Sequence, residues 1–180
     1  MHLALFLSTL LAGSVAALAV PSKESSKARR GLDIEVALDV DLSTCMTSED
    51  TEDLVNAYIR LVSDFDEDDA DRYLVDSFTD TSDSINTLVG NPLGTVTFPS
   101  KDAFVAAQLA LAGSTPPVEV EDVPAVGCQS IAVIWTATFG DPAQPVRGES
   151  TLKTVEVDGD WMFESWDVEF NSIVWQENLS

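Results

Sequence analysis

Histidine is almost missing. The single one, His2, stands at the start, ahead of an apolar run, so the body of the chain has none. That removes Ser-His-Asp and Cys-His nucleophilic catalysis and His-ligated zinc, and it leaves acid–base chemistry to carboxylates, tyrosine or lysine. Cysteine is nearly as scarce, with only Cys45 and Cys128. They stand too far apart for a metal site, which needs clustered ligands. In an exported chain such a pair usually forms a disulfide, with two free thiols as the alternative. Cations are few: nine Lys and Arg against 31 Asp and Glu. So acidic a surface repels phosphate backbones and anionic lipid, and neither nucleic acid nor a membrane surface is an expected partner. After the first residues, no apolar run approaches the roughly 20 needed to span a bilayer. No metal and no cofactor is expected.

What is present at the start reads as processing signals. Leu3 to Ala19 is apolar, too short for a membrane span, and ends in Ala17-Leu18-Ala19. Small residues at that spacing fit a signal peptide over 1–19, cleaved after Ala19, and hence a secreted, extracellular protein. Residues 20–30 are polar and end in Arg29-Arg30, which predicts a propeptide cut at a dibasic site, with a plain linker as the alternative. Four of the nine basic residues and one acid lie in that piece. Residues 31–180 are left with 5 basic and 30 acidic side chains, a net charge of −25. Residues 31–44 alternate apolar and acidic side chains and read as an extended arm.

The folded body, 45–178, is the size of one domain with one core. Thr47 or Ser48 caps a helix whose stripe is Leu54, Tyr58, Leu61, Val62 and Phe65. Asp64 to Asp71 is the densest acidic run. As an EF-hand loop it fails, because the position that needs Gly is Asp69 and the one that needs Glu is Val75. It reads as a turn into a second, short helix with Ala70, Tyr73 and Leu74 facing in. Phe78 to Leu88 reads as a turn at its front and strand-tolerant later. Ser100 caps a further helix carrying Phe104, Val105, Gln108, Leu109 and Leu111.

The remainder reads as strands. Val118 to Ala125 contains Pro124 and belongs at an edge or a bulge. Gln129 to Phe139 places Ile131, Val133, Trp135, Ala137 and Phe139 on one face. Arg147 to Val157 follows, then a hairpin turn at Asp158-Gly159-Asp160. Trp161 to Trp175 alternates throughout and reads as one long central strand, with Met162, Trp166, Val168, Phe170 and Val174 pointing inward. Helices first and strands later is an α+β order. The expectation is a cone-shaped, curved antiparallel sheet wrapped over about three helices, with a pocket inside.

Particular stretches carry a resemblance: Cys45-Met46-Thr47 before the first helix, Phe78-Thr-Asp-Thr-Ser-Asp-Ser-Ile-Asn-Thr-Leu88, Cys128 before the strongest strand, and Glu169-Phe-Asn-Ser-Ile-Val-Trp175. With this order of elements, the chain resembles the nuclear transport factor 2-like (SnoaL-like, cystatin-like) domain over about 45–178. More narrowly it resembles secreted fungal proteins of that kind. The resemblance implies the cone fold and export but no activity. The wider superfamily holds isomerases, dehydratases, cyclases and hydrolases as well as non-catalytic binding and dimerisation domains.

A pocket is expected among Tyr58, Phe104, Trp135, Glu164, Trp166, Phe170 and Ser172. Glu164 and Ser172 are singled out because they share the apolar parity of the last strand, and a buried carboxylate is costly unless paired. A strand-end position or a bulge would instead put Glu164 in water. The catalytic candidates are Asp80, Asp83 and Glu164 as base, with Tyr58 as donor, because a ketosteroid-isomerase-like site needs a carboxylate and a tyrosine in an apolar pocket. The competing expectation is that Asp80, Ser82, Asp83 and Ser84 make turn and cap hydrogen bonds. The leading functional expectation is a non-catalytic module that binds a small apolar ligand or a protein partner, a homodimer included. A carboxylate-dependent lyase, isomerase or cyclase is the alternative.

Overall fold

The computed structural model describes residues 45–111 and 115–180. The expected signal peptide, propeptide and extended arm lie outside the described residues. Helix α1 (Ser48–Ser63) starts at a capping box: the Thr47 hydroxyl accepts from the Asp50 amide at 3.2 Å, and the Asp50 carboxylate accepts from the Thr47 amide at 2.7 Å. Its stripe buries Leu54, Ala57, Tyr58 and Leu61. The acidic run opens α2 (Glu67–Tyr73), with the Asp66 side chain as cap. Ala70, Tyr73 and Leu74 are buried, as their spacing predicts.

Strand β1 (Leu74–Thr81) and helix α3 (Asp83–Val89) follow. Within Phe78 to Leu88 the front is strand and the later part helix, where the sequence reads as a turn and then a strand-tolerant stretch. Phe78 and Asp80 alternate as strand residues against a distant partner, and Ser82 caps the helix by accepting from the Ile85 amide at 3.0 Å. Strand β2 (Val96–Phe98) and helix α4 (Lys101–Ala110) come next. Of the face expected on α4, only Phe104 is fully buried, while Leu109 and Leu111 are exposed. Strands β3 (Val118–Gly127), β4 (Ser130–Gly140), β5 (Ala143–Val157) and β6 (Asp160–Phe170) and helix α5 (Ser172–Asn178) complete the described chain.

The six strands form one curved, unclosed sheet in the order β2-β1-β6-β5-β4-β3. Every pairing is antiparallel except β1 with β6, which is parallel. The fold is α+β with five helices among the described residues, and α3 and α5 are the short ones that the count of about three omits. Strands β2 and β3 are the two edges, and β3 is irregular around Pro124. The β5–β6 turn has positive φ at Asp158 and Gly159, as a two-residue hairpin loop demands. A disulfide joins Cys45 to Cys128, tying the entry of α1 to the β3–β4 turn, and the Met46 amide donates to the Cys128 carbonyl beside it.

Trp166 is the hub of the interior. Tyr58, Phe78, Phe104 and Phe163 each meet its ring edge-to-face, with centroids 5.0 to 5.3 Å away. Phe163 and Trp166 both face in because β6 bulges: Lys153 opposes Ser165, but Thr154 opposes Phe163. Glu164 is the extra residue.

Candidate functional site

Asp80 lies on β1 on the same inward face as Phe78, opposite Trp166 in the parallel register. Only 2% of it is exposed. Burial, reinforced by the charges of Asp167 and Glu169, pushes its carboxyl up to about 7, while the Thr81 amide holds it down. Its Oδ1 has no hydrogen-bond partner among the described residues. A buried carboxyl oxygen with nothing to bind is costly, and at a purely structural position selection favours a partner or an apolar replacement.

Next to it a polar chain runs across the apolar interior. Trp135 Nε1 donates to Ser150 Oγ at 2.9 Å, and Ser150 Oγ shares a 2.8 Å hydrogen bond with the Tyr58 hydroxyl. Burial raises the Tyr58 pKa, the Ser150 hydrogen bond lowers it, and the charge of Asp80 raises it further. The hydroxyl therefore stays protonated at any working pH and serves only as a neutral donor or acceptor. Gly148 on β5 makes the arrangement possible. A Cβ there would come within 2.3 Å of the Trp135 ring, so only glycine lets the indole lie against β5 and reach Ser150.

The other candidates fall elsewhere. Asp83 is a latch: its carboxylate accepts from the Gly94 amide at 2.6 Å and pins the loop after α3. Glu169 caps the same helix, accepting from the Asp83 and Ser84 amides at 2.7 and 3.0 Å and from the Ser84 hydroxyl. The expected turn and cap bonds are thus made by Ser82, Asp83 and Ser84, and Asp80 stands apart from them. Glu164 is exposed, contrary to the shared-parity expectation, because the bulge turns it outward. Ser172 is not on a strand at all. The strand ends at Phe170, Asn171 accepts from the Val174 amide at 3.2 Å, and Ser172 begins α5. Spacings of four residues satisfy a helix as well as a strand, which is why Phe170 and Val174 read as one parity.

Tyr58, Phe104, Trp135 and Trp166 are each 1–3% exposed, so they fill the cone and do not line an open pocket. Phe170 is half-buried and belongs to an outer aromatic group with Trp175 and Phe139, at centroid distances of 4.9 and 4.7 Å. Phe170 in turn meets Trp135 at 5.9 Å. Helix α5 is pinned over this end by Asn178, whose side chain donates to the Gln144 carbonyl at 2.8 Å and accepts from its amide at 3.2 Å. Asp80 itself lines none of the best-formed surface hollows, although one of about 260 Å³ reaches Ser150, Asp167 and Glu169. Another, of about 370 Å³, is lined by Asp50, Leu54, Arg72, Trp161 and Met162 among others. Among the described residues no group of three or more acids or cysteines is placed to hold a metal ion.

Ser150 is the site residue that the sequence reading missed. Its signal was present, since Val146, Gly148, Ser150 and Leu152 alternate inward on β5 and a serine on that parity needs a partner.

Residues 44–180 match the profile of the NTF2-like domain family. The chain belongs to that family. Solved NTF2-like structures superpose on most of it. A putative SnoaL-like polyketide cyclase from Shewanella denitrificans OS-217 has a TM-score of 0.55 at 12% identity, covering 74% of this chain and 98% of that one. IdmH, a putative polyketide cyclase from Streptomyces antibioticus, also gives 0.55, at 11% identity over 71% of this chain and 96% of its own. A putative isomerase from Rhodopseudomonas palustris gives 0.54 at 14% identity, covering 74% and 98%. At these identities the likeness is one of fold. No curated protein matches the chain.

Proposed function

We propose that this NTF2-like domain carries a proton-transfer site for a small, largely apolar ring ligand, with Asp80 as general base and the Tyr58 hydroxyl as donor. One observation carries the reading: Asp80 is buried, paired in register with Phe98 and Trp166, and has an oxygen left free, and burial with the nearby Asp167 and Glu169 charges pushes its carboxyl up to about 7. A base is most effective when its pKa lies near the working pH, and an apolar wall is what raises a carboxylate to that value. The chemistry this pairing fits is removal of a proton beside a carbonyl. Asp80 takes the proton, and Tyr58 donates to the carbonyl oxygen as it gains charge. The putative cyclases and isomerase of the same fold support that class by analogy alone. On this reading a ligand enters past the half-buried Phe139 and Phe170 and past Trp175 of α5.

Deuterium uptake at the α-carbon of a panel of enolisable polycyclic ketones, followed by mass spectrometry, tests this. Asp80→Asn should slow exchange by about 100-fold or more. Exchange that is the same in the wild type and in Asp80→Asn refutes it.

The closed interior favours a second reading, a non-catalytic module that binds a protein partner or a second copy. Val89, Leu93 and Ile173 are exposed apolar side chains on α3, the loop after it and α5. Sedimentation at several concentrations tests the homodimer, and a strict monomer removes it. Export is part of either proposal, and the disulfide is compatible with an oxidising compartment. N-terminal sequencing of material from the culture medium of an expressing host tests cleavage after Ala19 and Arg30.

A further inference from the structure

Three buried side-chain polar atoms lack a partner among the described residues, Asp80 Oδ1, Gln108 Oε1 and Trp166 Nε1, and the first and last belong to residues paired across the sheet. Asp80 Oδ1 accepts nothing, and Trp166 Nε1 donates to nothing among the described residues. Their Cα atoms are register partners across the parallel β1–β6 pair, where side chains at matched positions share a face. Both side chains are buried, at 2% and 1% exposure. One atom is an acceptor and the other an obligate donor. Native interiors rarely leave such groups single, and here an acceptor and a donor are left on paired residues. Neighbouring polar groups leave the gap open: the Thr81 amide serves the Asp80 carboxyl, and the Tyr58 hydroxyl shares its hydrogen bond with Ser150.

We propose that Asp80 Oδ1 and Trp166 Nε1 form a two-point subsite for a single hydroxyl group of the ligand. The indole N–H donates to the hydroxyl oxygen, and the hydroxyl hydrogen is donated to the carboxylate. This names the ligand class more narrowly than the proton-transfer reading it rests on: a planar ring bearing a phenolic or enolic hydroxyl. A ketone has no hydrogen to give Asp80 and would satisfy only the indole. The subsite therefore prefers the enol form of an enolisable ring over its ketone. Trp166 is a specificity-determining residue here, since its ring is held by four aromatic neighbours and its N–H is left for the group that displaces the packing beside it.

Phenol and toluene are the probes, matched in size and differing in the hydroxyl. They are titrated into the full chain, and the four tryptophan indole N–H signals are followed by two-dimensional NMR. Phenol should move the Trp166 signal downfield while toluene does not, and phenol should bind about tenfold more tightly. Trp166→Phe should reduce that preference to about threefold or less. The wild-type Trp166 signal decides the matter even if the variant does not fold. Three outcomes overturn the proposal: no saturable phenol binding, equal affinity for phenol and toluene, or a Trp166 signal that stays put. The last would mean that the indole N–H rests on an aromatic ring face. Each is separable from failure of the proton-transfer reading, which is judged by whether deuterium exchange depends on Asp80.

Discussion

Asp80 should make this domain less stable as the pH rises from acid to neutral. In the unfolded chain its carboxyl ionises at the ordinary value of 3.8, and in the folded chain it holds its proton up to about 7. Between those values the folded state binds the extra proton, so stability falls with pH. The contribution is fully present below pH 3.8, is lost progressively up to 7, and stays lost above it. Each pH unit in that window removes about 1.4 kcal/mol, so about 4 kcal/mol is at stake. For a domain of this size, with a total stability of about 5–15 kcal/mol, that is a large share. The assay is urea denaturation at pH 4, 5, 6, 7 and 8 for the wild type and Asp80→Asn. The amide cannot ionise, so the variant should lack this slope and gain on the wild type by up to about 4 kcal/mol between pH 4 and 8. Its absolute stability carries an offset of about 1–3 kcal/mol, because the new amide N–H also seeks a partner. The slope is therefore the diagnostic quantity. Repulsion among the many other carboxylates acts on both proteins and cancels in the difference. A wild-type minus variant difference that is flat across this window refutes the account of Asp80 as a buried, uncompensated acid. A difference of the opposite sign would mean that the carboxylate is paired.

Three further outcomes follow from the geometry. Gly148→Ala should drive the Trp135 ring off β5, break its bond to Ser150 and cost about 1–3 kcal/mol, read as a lower urea midpoint and a shifted Trp135 indole signal. Glu169→Gln weakens the cap on α3, and the Asp83 and Ser84 amides should lose protection in hydrogen exchange, with a cost of about 1–2 kcal/mol. Reducing the Cys45–Cys128 bridge opens a loop with a sequence separation of 83 residues. The chain-entropy model puts that loss at about 4–5 kcal/mol, measured as the change in unfolding free energy with and without reductant.

Much of the scaffold was legible because its signals are local. The Thr47–Asp50 box and the Leu54, Tyr58, Leu61 stripe need only neighbouring residues, and they define α1. The inward series Ile131, Val133, Trp135 and Ala137 defines β4 in the same way, and Asp158-Gly159 defines the β5–β6 hairpin. What was not legible depends on partners far along the chain. Asp80 and Asp83 stand three residues apart in a run of hydroxyls and acids, and nothing local separates them. Pairing with β6 turns one inward, and the cap supplied by Glu169 fixes the other in a helix. Glu164 fails for a related reason. A bulge is a property of two paired strands, so the alternation of β6 alone cannot reveal it. The filled interior was also beyond reach, because the same aromatic residues serve to line a cavity or to pack one solid.

The parallel pairing of β1 with β6 has a kinetic consequence. Every other contact in the sheet joins strands that are near in sequence, whereas this one closes a loop spanning most of the folded body. Such long-range closure is slow and comes late. Until it happens β1 lacks its main partner, Asp80 faces water as an ordinary carboxylate, and Trp166 has no aromatic cage. The site therefore depends on that closure, and a chain with its hairpins formed but β1 unpaired would have no Asp80 chemistry at all.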